Sequence, residues 1–74
     1  MNLEIYAKAT ELLEEIKEIE HIVRLLETAE NHRFLCNPRD KATIQISVSD
    51  KLREALTTLL TGEKKRLEKE FKEL

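Results

Sequence analysis

The first thirty residues alternate apolar and polar positions in the pattern of one long amphipathic helix. Apolar residues recur at alternating spacings of three and four, the repeat of about 3.5 residues that lets a helix pack along a seam. The seam consists of Ile5, Ala9, Leu12, Ile16, Ile19, Val23 and Leu26. Asn2 can cap the start of this helix, and Asn31 can end it in a left-handed conformation. The pattern therefore predicts a helix from Leu3 to Glu30.

Further apolar residues flank this seam on both sides. They are Tyr6, Leu13, Ile22 and Ala29. With them, the apolar stripe is wider than one facing helix covers. We therefore expect the first helix to contact more than one neighbour.

The segment after the first helix contains a turn and a strand. The chain's only proline lies in Asn37-Pro38-Arg39-Asp40, which predicts a turn. Residues 43–48 alternate polar with β-branched apolar side chains, the period of a half-buried strand. Two partners for this strand are open: residues 33–36 of the same chain, as a hairpin across Pro38, or the same strand of a second subunit about a two-fold axis.

A second helix follows the strand and runs to the C-terminus. Ser49 or Asp50 provides its N-cap. Apolar residues recur along one side of it, namely Leu52, Leu56, Leu59, Leu60, Leu67, Phe71 and Leu74. Gly62 lies in the middle, where glycine is about 1 kcal/mol less favourable than alanine. We predict one bent helix, with a break into two shorter helices as the alternative.

These elements predict a single, mostly α-helical domain over residues 1–74, with the order helix, short strand or hairpin, helix. A helix of about 28 residues is about 42 Å long, whereas a compact chain of this size has a radius of gyration of about 11 Å. We therefore expect a long antiparallel helical hairpin that dimerises, in the manner of a coiled coil, into a four-helix bundle. A homodimer is the expected assembly and a tetramer the alternative. The predicted oligomer core is Ile5, Leu12, Ile16, Ile19, Val23, Leu26, Leu56, Leu60, Leu67 and Phe71.

Composition narrows the classes of function. A chain of 74 residues is too short for most architectures that enclose a catalytic pocket. The net charge of −2 combines −5 over residues 1–30 with +3 over residues 31–74, and favours neither strong nucleic-acid attraction nor an acidic tail. A single cysteine, Cys36, forms no internal disulfide, so we expect a cytoplasmic protein. No apolar run approaches the roughly 20 residues that span a bilayer, and we expect no membrane association.

Candidate catalytic and metal-binding groups are sparse. Glu18 and His21 have the spacing that di-metal bundles use, but the seam turns both toward solvent. His32 and Cys36 are two residues where zinc takes three or four ligands. Cys36 could act as a nucleophile with His32 as base, but a packed small apolar residue explains it better. We predict no catalytic residue, no cofactor and no metal.

A basic patch surrounds the strand. Its members, together with one polar strand residue, are the candidate nucleic-acid contacts: Arg33, Arg39, Lys41, Gln45, Lys51 and Arg53. Within it, the stretch TIQISVSDKLREALTTLL resembles the opening of the ribbon-helix-helix repressors. The resemblance implies that Thr43, Gln45 and Ser47 face bases in the major groove. It also implies that Ile44, Ile46 and Val48 enter a dimer core.

Two functional hypotheses follow. The first is a non-catalytic structural or adaptor module, homo-oligomeric, that binds another macromolecule such as a protein through the bundle surface or the loop end. The second is a dimeric DNA-binding regulator that uses the strand at residues 43–48. The C-terminal sequence EKKRLEKEFKEL also resembles small bacterial and phage-encoded helical proteins, in composition alone.

Overall fold

The computed structural model describes residues 2–74, which form two long helices joined by a β-hairpin. Helix α1 spans Leu3–Thr28 and helix α2 spans Asp50–Lys72. Between them lie strand β1, Arg33–Cys36, and strand β2, Ile44–Ser47. The predicted order of elements and the mostly helical class are confirmed.

The core lies along the line where the two helices meet. Every buried residue of α1 belongs to the predicted seam: Leu12, Ile16, Ile19 and Leu26. From α2, Leu67 is buried against them, and the partly buried Val23, Leu60 and Phe71 pack around this cluster. Ile5 and Leu56, the other members of the predicted core, are half-buried. The seam of α1 is thus covered by α2 of the same chain.

The start of α1 is as predicted, and its end is not. The Asn2 side chain accepts a hydrogen bond from the Ile5 amide at 2.8 Å. The helix ends at Thr28 rather than at Glu30, because Ala29 already has extended backbone angles of φ −77° and ψ 145°. No non-glycine residue among residues 2–74 has a positive φ, so the predicted left-handed conformation of Asn31 is wrong. The chain therefore leaves α1 in extended form, and β1 begins four residues after Ala29.

Strands β1 and β2 pair antiparallel within the chain, which selects one of the two partners that the sequence left open. Phe34 lies opposite Ile46, and Cys36 lies opposite Ile44. The ladder continues below the strands, where the Val48 amide donates to a backbone carbonyl at residue 32 over 2.9 Å. At the turn, the Thr43 hydroxyl donates to the side-chain oxygen of Asn37 at 2.6 Å. One edge of β2 is therefore occupied by its own chain.

Helix α2 is continuous. Ser49 is its N-cap, since its hydroxyl oxygen accepts from the Leu52 amide at 3.3 Å. Gly62 lies within this one helix, so the alternative of a break at that residue is wrong. A Cβ added at Gly62 would meet no atom within 4 Å. Glycine is therefore not needed there to make room for a neighbour.

Three leucines predicted on the buried side of α2 are exposed instead. Leu52 is 57% exposed, Leu59 70% and Leu74 45%. The covered line of α2 runs through Leu56, Leu60, Leu67 and Phe71. Leu52 and Leu59, seven residues apart, lie beside that line rather than on it. They are exposed because, among residues 2–74, α1 is the only element that contacts α2.

The molecule is long and thin. Its extents are 46 × 30 × 15 Å, and its radius of gyration of 15.9 Å exceeds the about 11 Å of a compact chain of this length. A thickness of 15 Å corresponds to a single layer of helices with their side chains. No helix within residues 2–74 is long and apolar enough to cross a membrane.

Candidate binding surface

The β-hairpin extends beyond the helical pair without packing on it. Among residues 2–74, α1 contacts α2 and β1 contacts β2, and neither strand has an extended contact with a helix. An isolated two-stranded hairpin is marginally stable in water, and a third strand or a packed helix is normally needed. The hairpin is therefore the part of this chain that a further packing partner would stabilise most.

The hairpin has two chemically different faces, because residues opposite each other on paired strands point to the same side. The first, which we call the Phe34 face, is formed by Phe34, Cys36, Ile44 and Ile46. Phe34 and Ile44 are each 45% exposed and Ile46 is 50% exposed. The alternation predicted for β2 is confirmed, but in the single chain its isoleucines are not covered.

The opposite side, which we call the Gln45 face, is formed by Arg33, Leu35, Gln45 and Ser47. Leu35 interrupts its polar character, since 70% of that residue is exposed. Two of the candidate nucleic-acid contacts, Arg33 and Gln45, thus share one side of the hairpin.

The remaining candidate contacts lie at the two ends of the hairpin. Arg39 and Lys41 are exposed in the turn at its tip. Lys51 and Arg53 lie in the first turn of α2, where Arg53 is half-buried and lies 4.0 Å from the Glu54 carboxylate. Since four strand residues span about 13 Å, the basic patch is spread along the hairpin rather than gathered at one point.

The side chains considered for catalysis or metal binding are not brought together. His32 and Cys36 are four residues apart along an extended chain, which separates them by about 13 Å. The His32 Nε2 atom is buried without a hydrogen-bond partner among the described residues. Glu18 and His21 are both exposed on α1. Residues 2–74 contain no cluster of three or more His, Cys, Asp or Glu side chains arranged to hold a metal.

The half of the helical pair far from the hairpin carries ion pairs. Lys8 Nζ lies 3.6 Å from a Glu70 carboxylate oxygen, and so joins the two helices. Arg66 donates to Glu63 at 3.1 Å and to Glu70 at 3.4 Å. The hydrogen bond from Arg66 lowers the pKa of the Glu63 carboxyl below its ordinary value. These charges are matched within the chain.

The ion pairs identify which side chains of the two helices share a face. Lys8 and Ile22 are fourteen residues apart and therefore lie on the same flank of α1. Leu52, Leu59 and Arg66 are successively seven apart on α2, and Arg66 bonds Glu70, the partner of Lys8. We call this side of the helical pair the Ile22 face. It is apolar near the hairpin and charged at the far end.

The opposite side of the helical pair is more polar around its middle. A shallow groove of about 330 Å³ lies there, lined by Glu20, Val23, Arg24, Glu27, Thr61 and Lys64. The Lys64 ammonium lies 3.5 Å from the Glu20 carboxylate across it. Tyr6 and Leu13 precede Glu20 at seven-residue spacing and so occupy the same flank of α1 farther from the hairpin.

Part of this surface was not predicted from the sequence. Leu52 and Leu59 were grouped with the covered leucines, Phe34 and Leu35 were placed only in a candidate partner strand, and Leu25 had no assigned role. The last three are exposed: Leu25 51%, Phe34 45% and Leu35 70%. The spacing of Leu52 and Leu59 held a usable signal, since both fall off the line through Leu56, Leu60 and Leu67.

Comparison of the chain with protein-family models, with curated proteins and with solved structures finds no match. The resemblance of residues 43–62 to ribbon-helix-helix repressors accordingly stays a prediction.

Proposed function

We propose that this chain is a non-catalytic structural or adaptor module that works as a homodimer, with four helices in a bundle and the hairpins available to bind another macromolecule. The observation that carries the proposal is the accessible surface. The single chain exposes 6429 Å², whereas a folded monomer of 8.7 kDa exposes about 4,700 Å² by the scaling of surface with mass. The excess is about 1,700 Å².

Large apolar side chains contribute to the exposed surface. Among residues 2–74, only five apolar residues are buried, and twelve large ones are exposed. Burial of apolar surface is the main favourable term in folding, at about 25 cal/mol per Å². Burial of these uncovered side chains against a second copy would therefore stabilise the folded chain further.

The size of the excess supports a dimer. A standard interface buries about 800 Å² per partner, and permanent homodimers bury more. An excess of about 1,700 Å² per chain corresponds to one large self-association surface. Each chain has two helices, so a dimer formed through this surface has four. A four-helix bundle is also the assembly that the wide apolar stripe of α1 favours.

The hairpin supports the adaptor role. It projects from the helical pair, exposes Leu35, Gln45 and Ser47 on one face and carries Arg39 and Lys41 at its tip. Such a projecting element remains accessible on its Gln45 face when the apolar surfaces are covered. Side chains of this mixed character suit recognition of a macromolecular surface.

The proposed assembly is tested by native mass. Sedimentation equilibrium of the purified chain is expected to give twice the 8.7 kDa of one chain, together with the circular dichroism of a folded helical protein. A well-folded species with the mass of a single chain would contradict the proposal, since the uncovered apolar surface would then be stable in water.

A dimeric DNA-binding regulator is the second candidate, and the Gln45 face favours it. Arg33, Gln45 and Ser47 share this face, and Gln is suited to bidentate hydrogen bonding with the edge of adenine. Arg39 and Lys41 at the tip are exposed and can contact phosphates. The ribbon-helix-helix resemblance likewise implies base contacts for Gln45 and Ser47, the two β2 residues of this face.

This second candidate predicts salt-sensitive retention on a DNA column at about 50 mM salt. Arg39→Ala is expected to weaken retention and to lower the slope of log affinity against log salt by about one, since one phosphate contact is lost. Lys69→Ala removes the same charge from the distal part of α2 and is the matched control. Absence of retention, or equal losses for the two variants, would eliminate the DNA-binding candidate.

A further inference from the structure

The uncovered apolar surface is distributed unevenly along the molecule. We infer from it that two copies associate with their hairpins at the same end of the dimer. This inference rests on the proposed homodimer and specifies how its subunits are oriented. The hairpin end of the molecule is taken as residues 22–59, and the distal end as residues 2–21 and 60–74.

Most exposed apolar side chains lie at the hairpin end. Of the twelve large ones among the described residues, eight are there: Ile22, Leu25, Phe34, Leu35, Ile44, Ile46, Leu52 and Leu59. The other four, Leu3, Tyr6, Leu13 and Leu74, are at the distal end. Because the centre of a stable interface is apolar and depleted of charge, the hairpin end fits the centre of the subunit contact.

The Ile22 face decides the relative direction of the two copies. Its distal half carries Lys8, Arg66 and Glu70, whose charges are already paired within the chain. If the copies ran in opposite directions and their helices overlapped along the whole length of this face, the apolar half of one would cover the ion pairs of the other. Removing ion pairs from water costs several kcal/mol per charge unless new partners compensate. With the hairpins at the same end, apolar surface meets apolar surface and the charges stay in water.

The opposite flank of α1 does not offer an equivalent surface. Tyr6 and Leu13 are exposed there, but the next position at the same spacing is Glu20, which pairs with Lys64 at 3.5 Å. The apolar part of that flank is therefore short and is bounded by charge.

A second copy is the occupant that the surface fits. A two-fold contact brings each apolar patch against its own copy, so that no separate complementary partner is needed. The surface excess of about 1,700 Å² per chain matches one side of a permanent homodimer. The net charge of −2 per chain produces little repulsion between copies.

Fluorescence energy transfer between labelled chains tests the orientation. Cys36 is the only cysteine, so the Cys36→Ser variant can carry a single new thiol, Lys41→Cys at the hairpin tip or Glu73→Cys at the distal end. Donor-labelled and acceptor-labelled chains are mixed and allowed to exchange. The dyes need a transfer distance well below the 46 Å length of the molecule. Transfer between two tips is expected to be several-fold stronger than transfer between a tip and a distal end.

Stronger transfer from tip to distal end, or equal transfer in both mixtures, would overturn the orientation. If the native mass is still that of a dimer, the proposed function is unaffected by that result. A monomeric native mass would overturn both. The labelled positions, Lys41 and Glu73, are exposed, and sedimentation of the labelled chains checks that the label leaves the assembly intact.

A matched pair of substitutions tests, without labels, whether the Ile22 face forms the subunit contact. Leu59→Glu places a charge in the apolar half of the Ile22 face and is expected to weaken dimerisation by roughly a hundredfold or more. Leu13→Glu makes the same change on the other flank and is expected to weaken it less than about fivefold. Both leucines are exposed in the single chain, 70% and 42% respectively. The reverse order of effects in sedimentation would show that the Ile22 face is not the contact, and would overturn the orientation argued from it.

Discussion

Leu12→Asp is expected to unfold the protein. Leu12 is 2% exposed and lies in the cluster formed with Ile16, Ile19 and Leu67. A carboxylate there loses its hydration among the apolar side chains of this cluster, which costs several kcal/mol in addition to the lost packing. The whole stability of a 74-residue domain is about 4–11 kcal/mol. Loss of the helical signal in far-ultraviolet circular dichroism at room temperature is the measurement.

Leu13→Asp is the matched control for this substitution. It introduces the same side chain one residue along the same helix, at a position that is 42% exposed. Because the new carboxylate remains in water, the free energy of unfolding is expected to fall by less than about 1 kcal/mol. Similar unfolding of the two variants would show that the seam through Leu12 is not the core.

Thermal unfolding of the wild-type protein is expected to depend strongly on concentration. Unfolding of a homodimer releases two chains, so each tenfold dilution lowers its stability by about 1.4 kcal/mol. With an unfolding entropy of about 2.1 cal/mol/K per residue, two chains give about 0.3 kcal/mol/K, and Tm falls by about 4–5 °C for each tenfold dilution. Melting curves recorded in cells of different path length check this over a hundredfold range.

A Tm that stays constant over that range would show that folding does not require association. Such a result, with a folded monomer, would remove the homodimer from the proposed function. A shift of the expected size with a dimeric native mass would support it, because the unfolded chain has no comparable reason to associate.

The helical part of the fold could be predicted from the sequence because each local pattern agrees with the final packing. The seam from Ile5 to Leu26 has a strict repeat, and the structure buries its central members against α2. Asn2 and Ser49 have the side chains that N-caps require. The period of residues 43–48 was sufficient to place β2.

The parts that could not be predicted depend on contacts between distant residues. Local periodicity does not determine whether β2 pairs with β1 or with a second subunit, because the same alternation of side chains suits both; the structure shows the pairing with β1. The exposure of Leu59 depends on how many helices pack against α2, and the sequence of α2 does not determine that number. The end of α1 was placed two residues too late because Ala29 has no local signal that opposes a helix.

Because the hairpin does not pack on the helices, the strands and the helical pair form two regions that can unfold independently of each other. Opening of the strands removes no contact that holds Leu12 or Leu67, and loosening of the helices removes none that joins Phe34 to Ile46. The strands can therefore melt locally while the helical pair persists. An element of this kind orders when it meets its neighbour, so the hairpin can respond to encounter with a partner without a rearrangement of the two helices.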